Sequence, residues 1–294
     1  MKILVTGGCG YIGSKLVHSL RGACDIAVVD NYSNNVVDSI EGVTIHKLDI
    51  QNTCEMEDVF RGGCFDMVIH FAGISSPTEA DLNPLENATQ NYLASVALMK
   101  LAESHFVKKF LFASSYYVYE DSCFPLKETS YLRPRGAYGV NKLASEYFLK
   151  TMNMNSLSTR FFNVYGDGDR GIIGKILYEF SKSKGCLTIQ GDGNQRLDFI
   201  HILDLINILK EIIFTQEWDI DTLNLGTGNS SSLNEIIRIM QKLTSFDVEL
   251  KYEGGVSKKF SKITCDTSLL KEKGYYKIEC STEKHLQKEV LMHI

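Results

Sequence analysis

The chain has 294 residues, of which 44% are apolar and 23% charged, and its formal net charge is −5. This composition is typical of a globular protein with a large core and excludes a disordered tract. The small negative charge, without long runs of like charges, argues against nucleic acid or an anionic membrane as a partner. At about 150 residues per domain, the length predicts two domains, or one large domain with an appended lobe.

The eight cysteines are spread along the chain without a C-x-x-C pair, and several lie in apolar runs. We expect them to be free thiols, as in a cytoplasmic protein. The N-terminal apolar run is too short to predict a signal peptide, and no stretch approaches the ~20 apolar residues of a membrane span. The seven histidines lack the spacing of metal ligands, so no protein-bound metal is expected.

Short β-branched runs alternate with segments of helical periodicity over the first half of the chain. Strands are predicted at residues 2–6, 26–30, 44–48, 67–71, 109–113 and 158–164. Helices are predicted at residues 11–20, 55–60, 87–104 and 138–152. This alternation predicts an α/β fold with a doubly wound parallel sheet of the Rossmann type, covered by helices on both faces.

The alternation loosens in the second half of the chain. A helix, a short strand and a second helix are predicted there, at residues 173–183, 187–189 and 203–214. Ser232 and Glu235 have capping-box spacing ahead of an apolar helix, which predicts a helix start. The sequence therefore predicts a doubly wound domain over residues 1–165, with a return at about 195–220, and a smaller α/β lobe over residues 166–294.

A glycine-rich turn follows the first predicted strand and precedes the first predicted helix. Its glycines lie at positions 7, 8, 10 and 13, which satisfies both G-x-G-x-x-G and G-x-x-G-x-x-G. Such a turn brings backbone N–H groups close to a pyrophosphate at a helix N-terminus, where a Cβ would obstruct the approach. An ordinary β-α turn is the structural alternative.

Asp30 ends the second predicted strand, 20 residues after Gly10. A carboxylate at this place can accept hydrogen bonds from the ribose hydroxyls of an adenosine. It would also repel the 2′-phosphate of NADP, and the next residue, Asn31, is neutral. NAD is therefore the expected cofactor, and a helix cap or a solvated strand end is the structural alternative for Asp30.

Tyr138 and Lys142 are four residues apart at the start of a predicted helix, so both side chains face the same side. A tyrosine near its ordinary pKa of about 10 is a poor base at neutral pH, and an adjacent ammonium group favours the phenolate. An aromatic core residue beside a snorkelling lysine would have the same spacing. The predicted strand that ends in Ser114 and Ser115 adds two hydroxyls at the carboxyl edge of the sheet, where ligands of open α/β sheets bind.

With these features in place, the chain resembles the extended short-chain dehydrogenase/reductase superfamily, and within it the NAD-dependent nucleotide-sugar epimerase/dehydratase branch. The matching motifs occur in the family's order over nearly the whole chain. They are residues 6–13, Asp30, residues 48–50, residues 70–73, residues 114–119, Tyr138-x-x-x-Lys142 and residues 160–166. The resemblance implies a Rossmann fold, NAD as cofactor, a nucleotide-sugar substrate and a homodimer paired through the helices near 87–104 and 138–152.

The resemblance also implies a role for each matching residue. The catalytic residues are then Ser115, which binds the reacting hydroxyl, Tyr138, which exchanges its proton, and Lys142, the electrostatic partner of Tyr138. The implied cofactor site consists of Gly7, Gly10, Tyr11, Ile12, Gly13, Asp30, Asn31, Asp49, Ile50, Phe71, Ala72, Gly73, Asn91, Tyr138 and Lys142. The implied substrate site consists of Ser115, Tyr116, Asn163 and Arg196.

The chain departs from the family pattern at two places. Family dehydratases have Asp-Glu after the catalytic hydroxyl, and decarboxylases keep a glutamate there, but this chain has Tyr116 and Tyr117. The family arginine that binds the substrate diphosphate directly precedes Asp-Phe, but here Leu197 precedes it and Arg196 lies one place earlier. We expect Arg196 to compensate together with one of three lysines, namely Lys258, Lys259 or Lys262. The alternative is a substrate that carries less phosphate charge than is usual in the family.

The leading hypothesis is an NAD-dependent nucleotide-sugar epimerase that acts at C4 through a transient 4-keto sugar. The alternative is a nucleotide-keto-sugar reductase or dehydrogenase that uses the same three catalytic residues with an exchangeable NAD(P). A third hypothesis is a non-catalytic dinucleotide-binding protein, although such proteins tend to lose the tyrosine or the lysine.

An apolar stripe along two predicted helices is wider than one face of a sheet requires. It consists of Tyr92, Val96, Met99, Leu143 and Tyr147. The homodimer is expected to use this stripe, and the alternative is that all five side chains pack on their own sheet.

Overall fold

The computed structural model describes residues 1–122, 124–169, 171–182, 185–244, 248–254 and 262–293. The chain divides into two compact units, each built from separate stretches of sequence. The first unit contains Met1–Glu120, Ser130–Phe161 and Leu209–Leu223, and the second contains Asp121–Thr129, Phe162–Ile208 and Asn224–Ile294. The division expected at residue 165 differs from this one because residues 121–129 belong to the second unit and the return covers residues 209–223.

A seven-stranded sheet forms the centre of the first unit. Its strands are β1 (Lys2–Thr6), β2 (Asp25–Asp30), β3 (Thr44–Lys47), β4 (Met67–His70), β5 (Lys109–Ser115), β6 (Asn155–Phe161) and β10 (Thr222–Leu225). They lie in the order β10-β6-β5-β4-β1-β2-β3, and the neighbours from β6 to β3 pair in parallel. The predicted doubly wound parallel sheet is confirmed.

The strands of this sheet are joined by helices. These are α1 (Tyr11–Leu20), α2 (Thr53–Gly63), α3 (Pro77–Leu82), α4 (Pro84–Ala88), α5 (Ala94–Ser104) and α6 (Gly136–Leu149). A π-helical turn, Thr89–Leu93, joins α4 to α5, and a 3-10 turn, Tyr116–Val118, follows β5. The helical segment predicted near 87–104 is confirmed, but it starts at Pro84, because proline fits the first turn of a helix, and it contains the π-helical turn.

The core of the first unit lies between the sheet and the helices α2 and α5. Alternate residues of a strand point to the same face, and Phe110 and Phe112 of β5 are both buried there. Leu98 and Met99 of α5 are almost fully buried against them. Met99 therefore does not belong to the exposed stripe on which the sequence placed it.

The second unit contains two smaller sheets. The strands β7 (Asn163–Tyr165), β9 (Arg196–His201), β11 (Ser230–Ser232) and β13 (Lys262–Ile263) form one sheet, and β8 (Cys186–Gln190) pairs with β12 (Glu249–Glu253) in the other. The strand predicted at 158–164 is thus two strands, β6 and β7, because β7 pairs with β9 and not within the large sheet. The remaining helices are α7 (Ile172–Ser181), α8 (Ile202–Phe214), α9 (Leu233–Thr244), α10 (Ser268–Glu272) and α11 (Thr282–His293).

The predicted capping box at the start of α9 is confirmed. The Glu235 amide donates to the Ser232 hydroxyl at 3.1 Å, and the Ser232 amide donates to the Glu235 carboxylate at 3.0 Å. The seven cysteines in the described ranges are free thiols, and Cys123 lies outside those ranges. Within the same ranges no helix is long and apolar enough to cross a membrane.

The buried carboxylate of Asp198, on β9, organises the second unit. Its Oδ1 accepts hydrogen bonds from the amide of Thr227 at 2.9 Å and from the hydroxyl of Thr227 at 2.7 Å. Its Oδ2 accepts from the amides of Gly228 at 2.9 Å and Cys265 at 3.0 Å. An ionised carboxylate only accepts hydrogen bonds, so it satisfies four donors from two other segments at once.

We predict that Asp198→Asn destabilises the second unit. The asparagine NH2 would face backbone donors, so at least one buried amide would lose its acceptor, at a cost of about 2–4 kcal/mol. Thermal unfolding followed by calorimetry should show a melting temperature lower by roughly 5–10 °C. Asp58→Asn makes the same chemical change at a side chain that is 77% exposed, and it should leave the melting temperature unchanged. Equal melting temperatures for the two variants would contradict the role of Asp198.

Candidate active site

Three of the four glycines in the turn between β1 and α1 and in the first turn of α1 illustrate different physical roles. Gly7 has a φ of +70°, and a Cβ there would lie 2.7 Å from the amide nitrogen of Ala72. A Cβ at Gly13 would lie 2.1 Å from the carbonyl oxygen of Gly7. A Cβ at Gly10 would meet only that same oxygen, at 3.3 Å. The fold therefore requires glycine at 7 and 13, whereas Gly10 leaves space at the start of α1.

The N-terminus of α1 differs from those of α2 and α3. Gly10 is its N-cap and has no side chain to accept from the first N–H groups, and the first turn holds no acidic residue. By contrast, Asn52 caps α2 and Ser76 caps α3. The positive end of a helix with uncapped N–H groups attracts an anion. This turn, with Tyr11 and Ile12 at its helical end, therefore fits the pyrophosphate of the expected dinucleotide.

Asp30 lies beside the glycine-rich turn at the end of β2. Its Oδ2 accepts from the amide of Cys9 at 2.8 Å, and its Oδ1 accepts from the amide of Tyr32 at 2.8 Å. Asn31 donates from Nδ2 to Oδ2 of Asp49 at 2.7 Å. The expected adenosine contacts Asp30, Asn31, Asp49 and Ile50 thus follow the adjacent strands β2 and β3.

A buried row of hydrogen bonds connects β1 to α5 through His70. The Thr6 hydroxyl is 2.7 Å from Nδ1 of His70, and Nε2 of His70 is 2.8 Å from the hydroxyl of Ser95. Burial lowers the pKa of His70 to about 3, and the charge of Lys142 acts in the same direction, so the ring is neutral. Because the Ser95 hydroxyl donates to the carbonyl of Asn91, it accepts from Nε2–H, and Thr6 donates to Nδ1.

The segment after β4 carries the expected contacts Phe71, Ala72 and Gly73. Gly73 has a φ of +134°, and a Cβ there would lie 2.5 Å from Oδ1 of Asn91. The amide of Ile74 donates to Asn91 Oδ1 at 2.7 Å, and Asn91 Nδ2 donates to the carbonyl of Ile74 at 2.8 Å. Asn91, which the resemblance assigns to cofactor binding, therefore holds the backbone of this segment.

Helix α6 packs directly against the turn that follows β5. A Cβ at Gly139 would lie 2.4 Å from the carbonyl oxygen of Tyr117. The amide of Arg135, the N-cap of α6, donates to the same oxygen at 2.9 Å. Glycine at 139 thus permits the close approach of the helix, which brings its first turns to the end of β5.

The three expected catalytic residues meet at the carboxyl end of β5. The Ser115 hydroxyl acts on the phenol of Tyr138 and lowers the pKa of that phenol. Lys142 donates from Nζ to the carbonyl of Ala113 at 2.7 Å, and its ammonium lies 5.8 Å from the centre of the Tyr138 ring. All three side chains are buried. The arrangement can therefore hold a substrate hydroxyl, exchange its proton and favour the negative charge that results.

Burial opposes charge at both titratable members of this group. It raises the pKa of Tyr138 to about 12, while the hydrogen bond from Ser115 acts in the opposite direction. Burial also lowers the pKa of Lys142 to about 8, and the charge of Glu146 acts against that change. Proton transfer by Tyr138 near neutral pH therefore depends on positive charge close to the phenol.

Tyr117 contacts Tyr138, and Tyr116 and Arg135 contact Tyr117 in turn. Sequence reasoning assigned no role to Tyr117 or Arg135. Tyr117 meets the Tyr138 ring edge-on at 5.7 Å, and Tyr116 lies 4.9 Å from Tyr117. The Arg135 guanidinium lies 5.7 Å and 5.8 Å from the centres of the Tyr116 and Tyr117 rings. The position of Arg135 just before the predicted helix could have indicated that it lies close to Tyr138, since an N-cap residue is next to the first turn of its helix.

The other expected substrate residues, Asn163 and Arg196, belong to the second unit. Asn163 donates from Nδ2 to the carbonyl of Asp198 at 3.0 Å. Arg196 donates to Oε1 of Glu235 at 2.6 Å and to the carbonyl of Ser230 at 2.5 Å. Its guanidinium thus already has one anionic partner, although the side chain is 39% exposed.

Leu197 packs against the apolar cluster of the second unit. Successive residues of a strand point to opposite faces, so Arg196 and Leu197 cannot substitute for each other at one place. Lys262 is exposed and lies next to Arg196 in the register between β13 and β9. Lys258 and Lys259 lie outside the described residues.

Comparison with known proteins identifies a family and several relatives. Residues 3–226 match the family described as NAD dependent epimerase/dehydratase. A UDP-glucose 4-epimerase of Dictyostelium discoideum is 29% identical over 93% of this chain and 90% of its own length. UDP-glucose 4-epimerase 4 of Oryza sativa subsp. japonica is 30% identical over 84% of this chain and 78% of its own length.

The fold is similar to that of a UDP-glucose 4-epimerase from Thermotoga maritima, which was solved with UDP-glucose. The TM-score is 0.91 at 26% identity, and the alignment covers 99% of this chain and 98% of the other. The family match and this likeness confirm the resemblance that the sequence motifs indicated.

We predict that Asp30→Asn weakens the preference for NAD over NADP. Loss of the negative charge removes the repulsion of a 2′-phosphate, so the ratio of the NADP to the NAD dissociation constant should fall by roughly tenfold. Titration calorimetry with each dinucleotide measures the ratio. Asp25→Asn makes the same change at the other end of β2, where the side chain is 69% exposed, and it should leave the ratio as it is. An unchanged ratio in Asp30→Asn would show that Asp30 does not face the ribose.

Proposed function

Since the chain belongs to the NAD-dependent epimerase/dehydratase family, we propose that it inverts C4 of a nucleotide sugar through a transient 4-keto intermediate. The protein is an NAD-dependent nucleotide-sugar epimerase of the short-chain dehydrogenase/reductase type. The names of the relatives, which are UDP-glucose 4-epimerases, support C4 and a uridine diphosphate sugar as the substrate.

The arrangement around Tyr138 carries the proposal. The Ser115 hydroxyl lowers the pKa of its phenol, and Lys142 lies one helical turn away with its ammonium 5.8 Å from the ring centre. Dehydratases of the family place carboxyl groups directly after the catalytic hydroxyl, but this chain has Tyr116 and Tyr117 there. The site therefore has the groups for removing and returning one hydroxyl proton, without the carboxyl groups by which the family eliminates water.

When bound, NAD accepts a hydride from the sugar and returns it, and its oxidised ring adds a positive charge to the site. Ser115 orients the 4-hydroxyl of the sugar, and Tyr138 takes the proton of that hydroxyl as the C4–H bond is broken. After the keto sugar has turned over, Tyr138 returns the proton to the oxygen as C4–H forms on the opposite face. The reaction thus restores the cofactor and the protonation of Tyr138.

The pKa of Tyr138 sets the electrostatic demand of this step. Lowering the pKa of this phenol from about 12 to 7, where half of it is ionised at pH 7, requires roughly 7 kcal/mol of additional stabilisation. The ammonium of Lys142 and the oxidised cofactor are the two positive charges that supply it. Lys142 must therefore remain protonated while Tyr138 takes the proton.

We propose Arg196 and Asn163 as polar contacts of the substrate in the second unit. An arginine that grips a phosphate with two nitrogen atoms contributes about 1.5–3 kcal/mol to binding of the anion. Because Glu235 already accepts from Arg196, the diphosphate would have to share or displace that partner. This cost is a reason to expect weaker diphosphate binding than with the family arginine.

The proposed activity is tested by incubating the purified protein with UDP-glucose and following UDP-galactose by NMR. The expected result is conversion without added NAD and without net NADH absorbance, with NAD released when the protein is denatured. Protein that is purified without cofactor and needs an exchangeable one would favour the keto-sugar reductase. Bound cofactor without conversion of UDP-glucose or any related UDP, GDP, CDP or dTDP sugar would favour the non-catalytic alternative.

In the same assay, Tyr138→Phe should lower turnover by at least ~10²-fold, because it removes the group that exchanges the proton. The variant should fold normally and should release as much NAD on denaturation as the wild type, since the change removes a single hydroxyl. Tyr178→Phe makes the same change at a side chain that is 62% exposed in the second unit and should have normal turnover. Near wild-type turnover of Tyr138→Phe would contradict the assignment of Tyr138 as the residue that exchanges the proton.

We also propose a homodimer through α5, α6 and the turn before α5. Tyr147 and Val140 of α6 are 57% and 50% exposed, and Leu93 is 56% exposed. Tyr92, Val96 and Leu143 are partly buried beside them. Apolar side chains that remain exposed on neighbouring helices favour burial against a second copy.

For this surface, we predict that Tyr147→Glu converts the dimer into a 33.0 kDa monomer, because it would bury a charge in the interface. Light scattering at micromolar concentration measures the mass. Phe106→Glu introduces the same charge at a residue that is 88% exposed after the end of α5, and this variant should remain a dimer. A wild-type protein of monomer mass would reject the proposal.

A further inference from the structure

Glu146 is an almost fully buried carboxylate one turn after Lys142 on α6. Its Oε1 accepts from the hydroxyl of Ser114 and from Nε of Arg160, the latter at 3.0 Å, and its Oε2 accepts from Nη2 of Arg160 at 2.6 Å. Ser114 and Arg160 are partners in the register between β5 and β6. The carboxylate therefore ties α6 to both strands, next to the residue that precedes Ser115.

Glu146 and two cations, Lys142 and Arg160, are all buried in this part of the first unit. Their formal charges sum to +1 when all are ionised. Arg160 holds its proton firmly: burial opposes its charge, but the hydrogen bonds and charge of Glu146 raise the pKa of its guanidinium. Lys142, with its pKa lowered to about 8 by burial, is therefore the cation that loses a proton when the negative charge is removed.

The groups that face Lys142 from other elements do not supply that charge. His70 of β4 is neutral at physiological pH, and β5 presents the carbonyl of Ala113 and the ring of Phe112. Tyr138, on its own helix, holds its proton until the substrate is present. Arg160 of β6 is the cation that pairs with Glu146, and the negative charge of Glu146 opposes the lowering of the Lys142 pKa.

We propose that Glu146 is a positioning residue of the catalytic group: it fastens α6 to the end of β5 and keeps the ammonium of Lys142 charged by neutralising Arg160. This inference rests on the proposed function for its catalytic meaning. Glu146, the fourth residue after Lys142, would then affect proton transfer through Lys142 and would not contact the sugar.

The test compares Glu146→Gln with two further variants. Glutamine keeps the size of the side chain and an acceptor for Ser114, but it leaves Arg160 as an uncompensated cation near Lys142. The ionisation of Lys142 should then shift to lower pH by about one unit. In Arg160→Met, which leaves the carboxylate without its cation, the shift should be to higher pH. The double variant restores a sum of +1 and should return Lys142 close to its wild-type ionisation.

The ionisation of Lys142 is measured by competitive labelling with acetic anhydride over a pH series, followed by mass spectrometry of the peptide that contains it. This readout needs no turnover, so it remains valid even if no nucleotide sugar is converted. Where turnover is observed, the alkaline limb of the kcat profile should move in the same direction in each variant, and kcat for Glu146→Gln at pH 8 should fall by about fivefold.

Shifts of opposite sign in the two single variants support the charge role, since a loss of packing alone would not reverse its sign. An unchanged ionisation of Lys142 in Glu146→Gln overturns the proposal. Shifts of the same sign in Glu146→Gln and Arg160→Met overturn it as well. If Glu146→Gln does not fold, the comparison of Arg160→Met with the double variant decides, because the proposal requires a shift to higher pH in the single variant only.

Discussion

The buried ammonium of Lys142 is the constraint on which the candidate active site depends. Burial favours the neutral amine and lowers its pKa to about 8, so the surrounding structure has to compensate for the lost hydration. The carbonyl of Ala113 accepts one of its protons at 2.7 Å, and Glu146 supplies a negative charge. The contact with Ala113 requires α6 to lie close against the end of β5, which glycine at 139 permits.

Buried polar groups also need hydrogen-bond partners at the end of β1 and in the segment after β4, and these partners fix the backbone there. His70 is neutral because it is buried beside Lys142, and in this form it links Thr6 to Ser95. Asn91 then fixes the backbone at Ile74. The end of β1 and the segment after β4, where cofactor contacts are expected, are thus held by side-chain hydrogen bonds within the first unit.

The tyrosines at 116 and 117 bear on the type of reaction that the site can support. They pack as aromatic rings next to Tyr138, in the positions where dehydratases of the family have carboxyl groups. In the second unit, the buried carboxylate of Asp198 has a purely structural set of partners, whereas the half-exposed Arg196 is paired with Glu235. The carboxylate of Asp198 and the guanidinium of Arg196 therefore both have partners within their own unit.

By itself, the sequence determined the parallel α/β sheet, the glycine-rich turn, the capping box at Ser232 and the pairing of Tyr138 with Lys142, because each depends on spacing within a few residues. The helical period also marked an apolar face on α5, but it could not separate buried Met99 from exposed Tyr147 on α6. Only the tertiary structure decided that Glu146 contacts Ser114 and Arg160, or that Leu197 enters an apolar cluster. These contacts join residues that are distant along the chain, and packing between separate elements selects their partners.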